Sequence, residues 1–309
     1  MIRLRARAPA KVNLVLRVGP ARADGYHDIE SLMVPLDLAD EVEVAVSPGR
    51  AGAVRCRCPG RPDLDGPSNL AARAALALRR RLGVEDAVDI VVQKAIPVTA
   101  GLGGGSSDAA AVLRCLARAW RVSDRRAVAD AALEVGSDVP FFLGKGAAWA
   151  RGRGERLRPA AAPRLHLVLL YPRAPALAVR ASDAYRWLDE ARSGRALPDR
   201  GRPRADRPEN DLMEPCLERL PALRDLPRWI GDLGGAVPIM SGSGPTFFGS
   251  FRDRTAARAA AEALAGRQAG GEGVEAIVAR TVARMPGVSP WKSARSASSR
   301  STRKSSRPT

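Results

Sequence analysis

Aromatic residues are scarce in this chain: Phe, Trp and Tyr together make up 4% of its 309 residues. A surface that stacks successive bases needs more of them. Lysine is scarcer still, with only Lys11, Lys94, Lys145, Lys292 and Lys304 among 50 basic residues. No run of about 18 apolar residues exists, so no transmembrane helix and no membrane partner is expected. The four cysteines are Cys56, Cys58, Cys115 and Cys216. They form no second pair or His cluster, which argues against a zinc site, and free thiols of a cytoplasmic chain fit best. The first 23 residues hold Arg and no acid, superficially like a transit peptide. A strand with a lysine at residue 11 leaves no room for a removable segment.

The net charge is +17, which alone would suggest nucleic acid. The stretch from Gly287 to Thr309 carries six basic residues and no acidic one, leaving +11 for the rest. Elsewhere Arg is scattered among Asp and Glu, and no base-reading motif accompanies the charge. A nucleic-acid partner is therefore not expected.

Length suggests two domains. Residues 2–8 and 12–18 alternate and read as two strands, with further strands at 41–46, 88–93, 147–150, 165–171, 245–251 and 274–279. Helices are expected at about 71–83, after Ser68 and Asn69 as caps, and at 106–120, 125–134, 211–220, 223–233 and 255–266, and the segment 191–209 reads as an exposed loop. Strands and helices mix without strict alternation, which argues α+β and against a doubly wound sheet.

The richest segment is 97–113, PVTAGLGGGSSDAAAVL. Gly101, Gly103, Gly104 and Gly105 run into Ser106, Ser107 and Asp108, between a strand and an alanine-rich helix. Glycines let the backbone approach a ligand with no Cβ in the way. The helix start adds free N–H groups and a positive dipole end, so together they suit phosphate. Neither common fingerprint is present. A dinucleotide loop needs Gly where Ser106 stands, and a P-loop needs a Gly-Lys-Ser/Thr end. The bland reading is a flexible turn with Ser106 or Ser107 capping the helix.

PVTAGLGGGSSDAA resembles the phosphate loop of the GHMP kinases, the superfamily of galactokinase, homoserine kinase and mevalonate kinase. APAKVNLVLRV (8–18) and MSGSGPTFFG (240–249) resemble two further motifs in the same order. ADGYHDIESLM (23–33) and VGSDVPFF (135–142) narrow the resemblance to the branch acting on a cytidine-diphosphate-linked methylerythritol, in the non-mevalonate isoprenoid route. The resemblance covers roughly residues 8–286. It implies an α+β two-domain fold: an N-terminal ATP-binding domain (1–155) like ribosomal protein S5 domain 2, and a ferredoxin-like C-terminal domain (156–286). A basic tail (287–309) should be disordered. It also implies a cytoplasmic kinase, monomer or weak homodimer, using ATP and Mg²⁺ on a small-molecule substrate. The near alternative is a homoserine- or mevalonate-kinase-like activity.

The resemblance also implies roles. Lys11, by itself a plausible edge charge, would contact the reacting hydroxyl. Asp138, by itself an N-cap or turn residue, would be the catalytic carboxylate that accepts its proton. A Lys–Asp pair is coherent, because the cation keeps the carboxylate ionised. Nucleotide contacts would come from Pro97, Ala100, Gly101, Leu102, Gly103, Gly104, Gly105, Ser106 and Ser107. Asn69 would join them, with helix capping the equal alternative. Metal ligands cannot be assigned, and Asp108 is a candidate only by proximity. For the substrate, Tyr26 would stack on cytosine and His27 would bond its edge. Tyr185 would be a second stacking ring or core packing. Asn13 would meet erythritol hydroxyls, and Gly242 and Gly244 the diphosphate. Asn210 and Asp211 fit the pattern without a separable role.

Overall fold

A computed structural model describes residues 1–193 and 200–291, backbone only at 50 and 51. Its strands are β1 (Ile2–Ala21), β2 (His27–Ala51), β3 (Val54–Arg57), β4 (Asp86–Gln93), β5 (Ala148–Gly152), β6 (Arg156–Pro159), β7 (His166–Pro172), β8 (Glu209–Asn210), β9 (Ala236–Met240), β10 (Phe247–Phe251), β11 (Gln268–Ala269), β12 (Glu272–Arg280) and β13 (Val288–Pro290). Its helices are α1 (Leu70–Leu82), α2 (Gly104–Ala119), α3 (Arg125–Val135), α4 (Val139–Leu143), α5 (Ala181–Arg192), α6 (Met213–Arg219), α7 (Asp225–Asp232) and α8 (Arg254–Leu264). The strands form two sheets. The first runs β13-β1-β2-β4-β3, with β5 and β6 continuing from the other end of β2 and β8 parallel to β1. The second is wholly antiparallel, β11-β12-β7-β10-β9.

The N-terminal segment is one long strand rather than the two expected. The alternation of Arg3, Arg5 and Arg7 outward with Leu4, Ala6 and Ala8 inward breaks at Pro9. Proline lacks an N–H for the ladder, and the strand absorbs it in a bulge between Pro9 and Lys11. A second bulge follows between Asn13 and Val15. Bulges bend a strand and re-aim its side chains, and these two bracket Lys11 and Asn13.

Three apolar cores hold the molecule together. One lies between the first sheet and α1–α4, where α1 and α2 bury alanine faces such as Ala74, Ala75, Ala109 and Ala110. A second packs α5–α8 on the second sheet. The third sits between the sheets, where Val12 and Leu14 of β1 join Leu167, Leu169 and Phe248. The middle of β1 is therefore buried on both faces, and the site hangs from it.

The basic tail starts later than expected. Val288–Pro290 pairs with Leu4–Ala6, and the Trp291 N–H donates to the Arg3 carbonyl. The edge of β1 offers unpaired ladder groups, and this short strand takes them. The rest of the expected disordered tail, 292–309, lies outside the described residues, as does 194–199 of the expected loop.

Candidate active site

The glycine loop joins β4 to α2. Gly101 and Gly103 have φ of 73° and 71°, a region L side chains rarely adopt. Helix α2 begins at Gly104, two residues before the serines, and no side chain caps it. Its first N–H groups are therefore left for a ligand. A cavity of about 370 Å³ lies against them, lined by Asn69, Lys94, Pro97, Ala100, Gly101 and Gly103 through Ser106, among others. Asn69 does cap α1, accepting from the Ala71 N–H at 2.8 Å, and still reaches the cavity wall. Leu102 and Ser107 point inward. Leu102 is buried and its carbonyl accepts from the Lys11 N–H at 2.9 Å. The Ser107 hydroxyl is buried with no partner and lines neither cavity of the site.

Beneath the loop lies an ion cluster that the sequence did not announce. Lys94 Nζ donates to Asp40 Oδ2 at 2.5 Å and Asp108 Oδ2 at 2.7 Å. Asp40 Oδ1 accepts from the N–H groups of Ala95 and Ile96, at 2.6 and 2.8 Å. The segment entering the glycine loop is thus tied to β2. Burial and the neighbouring Asp40 charge push the Asp108 carboxyl up to about 7, while Lys94 opposes the shift. For Lys94, burial disfavours the charge, but the two carboxylates outweigh it and raise its pKa. Asp108 is therefore an anchor of this cluster.

A second cavity, about 680 Å³, meets the first at Gly101, Gly103 and Ser106, which line both. Lys11 lies at the junction. Its Nζ donates to Asn13 Oδ1 at 2.5 Å and stands 3.7 Å from Asp138 Oδ2. Burial lowers the Lys11 pKa, and Asp138 partly restores it. Asn13 Nδ2 donates to Ser31 Oγ at 2.7 Å, and Ser31 donates to the Val15 carbonyl at 2.7 Å. The direction of this chain is forced, since an ammonium only donates and a carbonyl only accepts. Asn13 thus spends its amide on Lys11 and Ser31, although it does line the cavity. Asp138 lies in the turn before α4 and makes no side-chain cap, so the capping alternative is not realised.

In the same cavity the three predicted base contacts come together. Tyr26 is half exposed, with the Arg153 guanidinium 4.3 Å from its ring centre. His27 is buried, stacks on Tyr185 at 5.1 Å, and its Nε2 lies 2.9 Å from Asp189 Oδ1. Burial, with the Asp138 charge adding to it, pushes the Tyr185 phenol up to about 12. Tyr185 lines the cavity and also packs on the second core. Arg153, Ser31 and Asp189 were missed in the sequence. Asp189 had a signal, standing one helical turn after Tyr185.

The glycine turn after β9 closes the junction. Ser241 Oγ donates to the Gly101 carbonyl at 3.0 Å. Gly242 has φ of 56°, and a Cβ there would stand 3.2 Å from Lys11 Nζ. Gly244, φ 84°, packs on Met240 and does not line the cavity. Asn210 resolves as a support, donating to the carbonyls of Met240 and Gly242 at 2.7 Å each. Asp211 holds Arg192, Arg200 and the Val18 N–H, also a structural role.

The arrangement is a glycine loop at an uncapped helix start, opening onto a Lys–Asp pair and a cavity lined by aromatic side chains. The chain is similar to several known proteins. Residues 69–146 match the family described as GHMP kinases N terminal domain. The 4-diphosphocytidyl-2-C-methyl-D-erythritol kinase of Anaeromyxobacter dehalogenans (strain 2CP-1) is 66% identical over the whole of both chains. That of Deinococcus radiodurans is 43% identical over 84% of this chain and 88% of its own. A solved 4-(cytidine 5'-diphospho)-2C-methyl-D-erythritol kinase superposes with a TM-score of 0.71 at 36% identity, covering 90% of this chain and 99% of that one. The homoserine kinase of Cytophaga hutchinsonii, 17% identical with a TM-score of 0.66 over 93% of this chain and 98% of its own, shares the fold. By these relatives and this geometry, the chain belongs to the 4-diphosphocytidyl-2-C-methyl-D-erythritol kinase family of the GHMP kinases.

Proposed function

We propose that this protein transfers the γ-phosphoryl group of ATP to the 2-hydroxyl of 4-diphosphocytidyl-2-C-methyl-D-erythritol, a step toward isoprenoid precursors. The observation that carries this is the Lys11–Asp138 pair, 3.7 Å apart, where the two cavities meet. ATP takes the smaller cavity, its phosphates on the uncapped start of α2. The alcohol takes the larger, its cytosine toward Tyr26, His27 and Tyr185. Asp138 accepts the hydroxyl proton as the oxygen attacks, and Lys11 steadies the charge that develops.

Among the described residues no three acidic, His or Cys side chains converge on a metal site. Mg²⁺ keeps several waters and is held largely by substrate phosphates. Ser106, facing both cavities, and Asp138 offer the oxygen ligands. When bound, the ion would neutralise phosphate charge. We read the domain boundary at 155/156. Among the described residues no helix is long and apolar enough to cross a membrane, and we place the protein in the cytoplasm as a monomer or weak homodimer. The test is ADP release with ATP, Mg²⁺ and a panel of alcohols. Turnover confined to homoserine or mevalonate would sink the substrate assignment.

A further inference from the structure

His27 is held on two sides. The Tyr185 ring covers one face at 5.1 Å, and Asp189 Oδ1 lies 2.9 Å from Nε2. A carboxylate only accepts, so the Nε2 facing it carries the proton. In a neutral imidazole the other nitrogen is then an acceptor. Nδ1 has no hydrogen-bond partner among the described residues, and the residue lines the substrate cavity. Cytosine presents an amino donor at position 4, whereas uracil presents a carbonyl acceptor there. An unprotonated Nδ1 therefore pairs with the first and opposes the second.

We propose that Asp189 is a specificity-setting positioning residue, which locks His27 as the Nε2–H tautomer and so selects a cytosine over a uracil base. This rests on the cytidine reading above. Asp189 lies on an exposed side of α5, makes no hydrogen bond or ion pair with Lys11 or Asp138 among the described residues, and has 47% of its side chain accessible. Replacing it leaves the core untouched. Asp189→Asn is informative because an amide accepts or donates equally well. The ring is then free to turn its proton to Nδ1 and accommodate uracil. A merely structural role would weaken both nucleotides and could not improve the wrong one.

The experiment measures CMP and UMP affinities by calorimetry at pH 8 for wild type, Asp189→Asn and Asp189→Ala. Wild type should prefer CMP about ten- to a hundredfold, the order expected when one buried polar group is left mispaired. Both variants should gain UMP affinity and bring the ratio within about threefold of unity, the limit where neither tautomer is enforced. ¹⁵N spectra read the tautomer directly, and with only two histidines in the chain His166→Gln assigns the signals. Wild type should show Nε2–H, and the variants a mixture. If wild type prefers CMP and both variants keep the full ratio, Asp189 does not set specificity and the cytidine reading stands. If wild type binds CMP no better than UMP, the cytidine reading falls and this inference with it.

Discussion

Replacing Gly101 by Ala probes the seam between the two glycine segments. A Cβ at this position would stand 2.2 Å from the Ser241 carbonyl oxygen and 2.9 Å from that of Gly244. Both are backbone atoms, so no side chain can swing aside. Ordinary contact requires the turn to retreat by at least about 1 Å. The φ of 73° adds about 1–2 kcal/mol for a non-glycine residue, and overpacking a close contact adds about 1–3 kcal/mol. The expected loss of stability is therefore about 2–5 kcal/mol. The same retreat carries Gly242 away from Lys11 Nζ. A displacement of about 1 Å at a reacting centre can cost on the order of 100-fold in rate.

Urea unfolding gives the first quantity and steady-state turnover the second. Gly266→Ala is the control: its φ is 79°, but a Cβ there meets nothing within 4 Å. It should lose only the backbone part, about 1–2 kcal/mol, and keep full turnover. If Gly101→Ala behaves like Gly266→Ala in both assays, the two segments are not locked together and this account of the junction is wrong.

Three further outcomes are expected. Asp138→Asn keeps the shape of the site but cannot accept a proton, so kcat should fall about 100-fold or more, and near-normal kcat in folded protein would remove the residue from its role. Tyr26→Ala removes one base stack, worth about 1–3 kcal/mol. It should raise KM for the cytidylyl substrate about ten- to a hundredfold, with KM for ATP unchanged; a matching rise for ATP would contradict the separation of the cavities. Burial pushes the thiols of Cys56, Cys115 and Cys216 up to about 12 from the usual 9.0. A raised folded pKa gives stability that is complete below pH 9 and is lost as pH climbs toward 12. Urea midpoints should fall steadily across that window, and less so in Cys115→Ala; equal midpoints at pH 8.5 and 11 would refute the assignment.

The sequence made some of these features legible and concealed others for identifiable reasons. Helix α1 was readable because its boundaries are local: Asn69 caps one end and Gly83 takes φ of 63° at the other. The glycine loop was readable because backbone freedom is written in residue type. The start of α2 was misplaced, since serines attract the N-cap by propensity, while the chain begins the helix earlier and leaves its N–H groups open. The single strand β1 was hidden because a proline imitates a break, and only its long partner β2 reveals a bulge. The Lys94 cluster was invisible because Asp40 and Lys94 lie 54 residues apart and meet only through sheet register.

The same division runs through the active site. Lys11, Tyr26, His27 and Asp138 sit in motifs whose residue types already suit their chemistry. Ser31 and Asn210 were not separable from ordinary polar residues, and Asp189 only by its spacing from Tyr185, because each acts through another group. Ser31 fixes which end of the Asn13 amide meets Lys11. Asn210 holds the turn that abuts Lys11, and Asp189 orients His27. A hydrogen bond of this kind depends on direction and distance, which a linear pattern does not encode. Residues that meet a ligand are selected for what they are and leave a mark in composition. Residues that position them are selected for where they are, and the mark appears only when the strands and helices are in place.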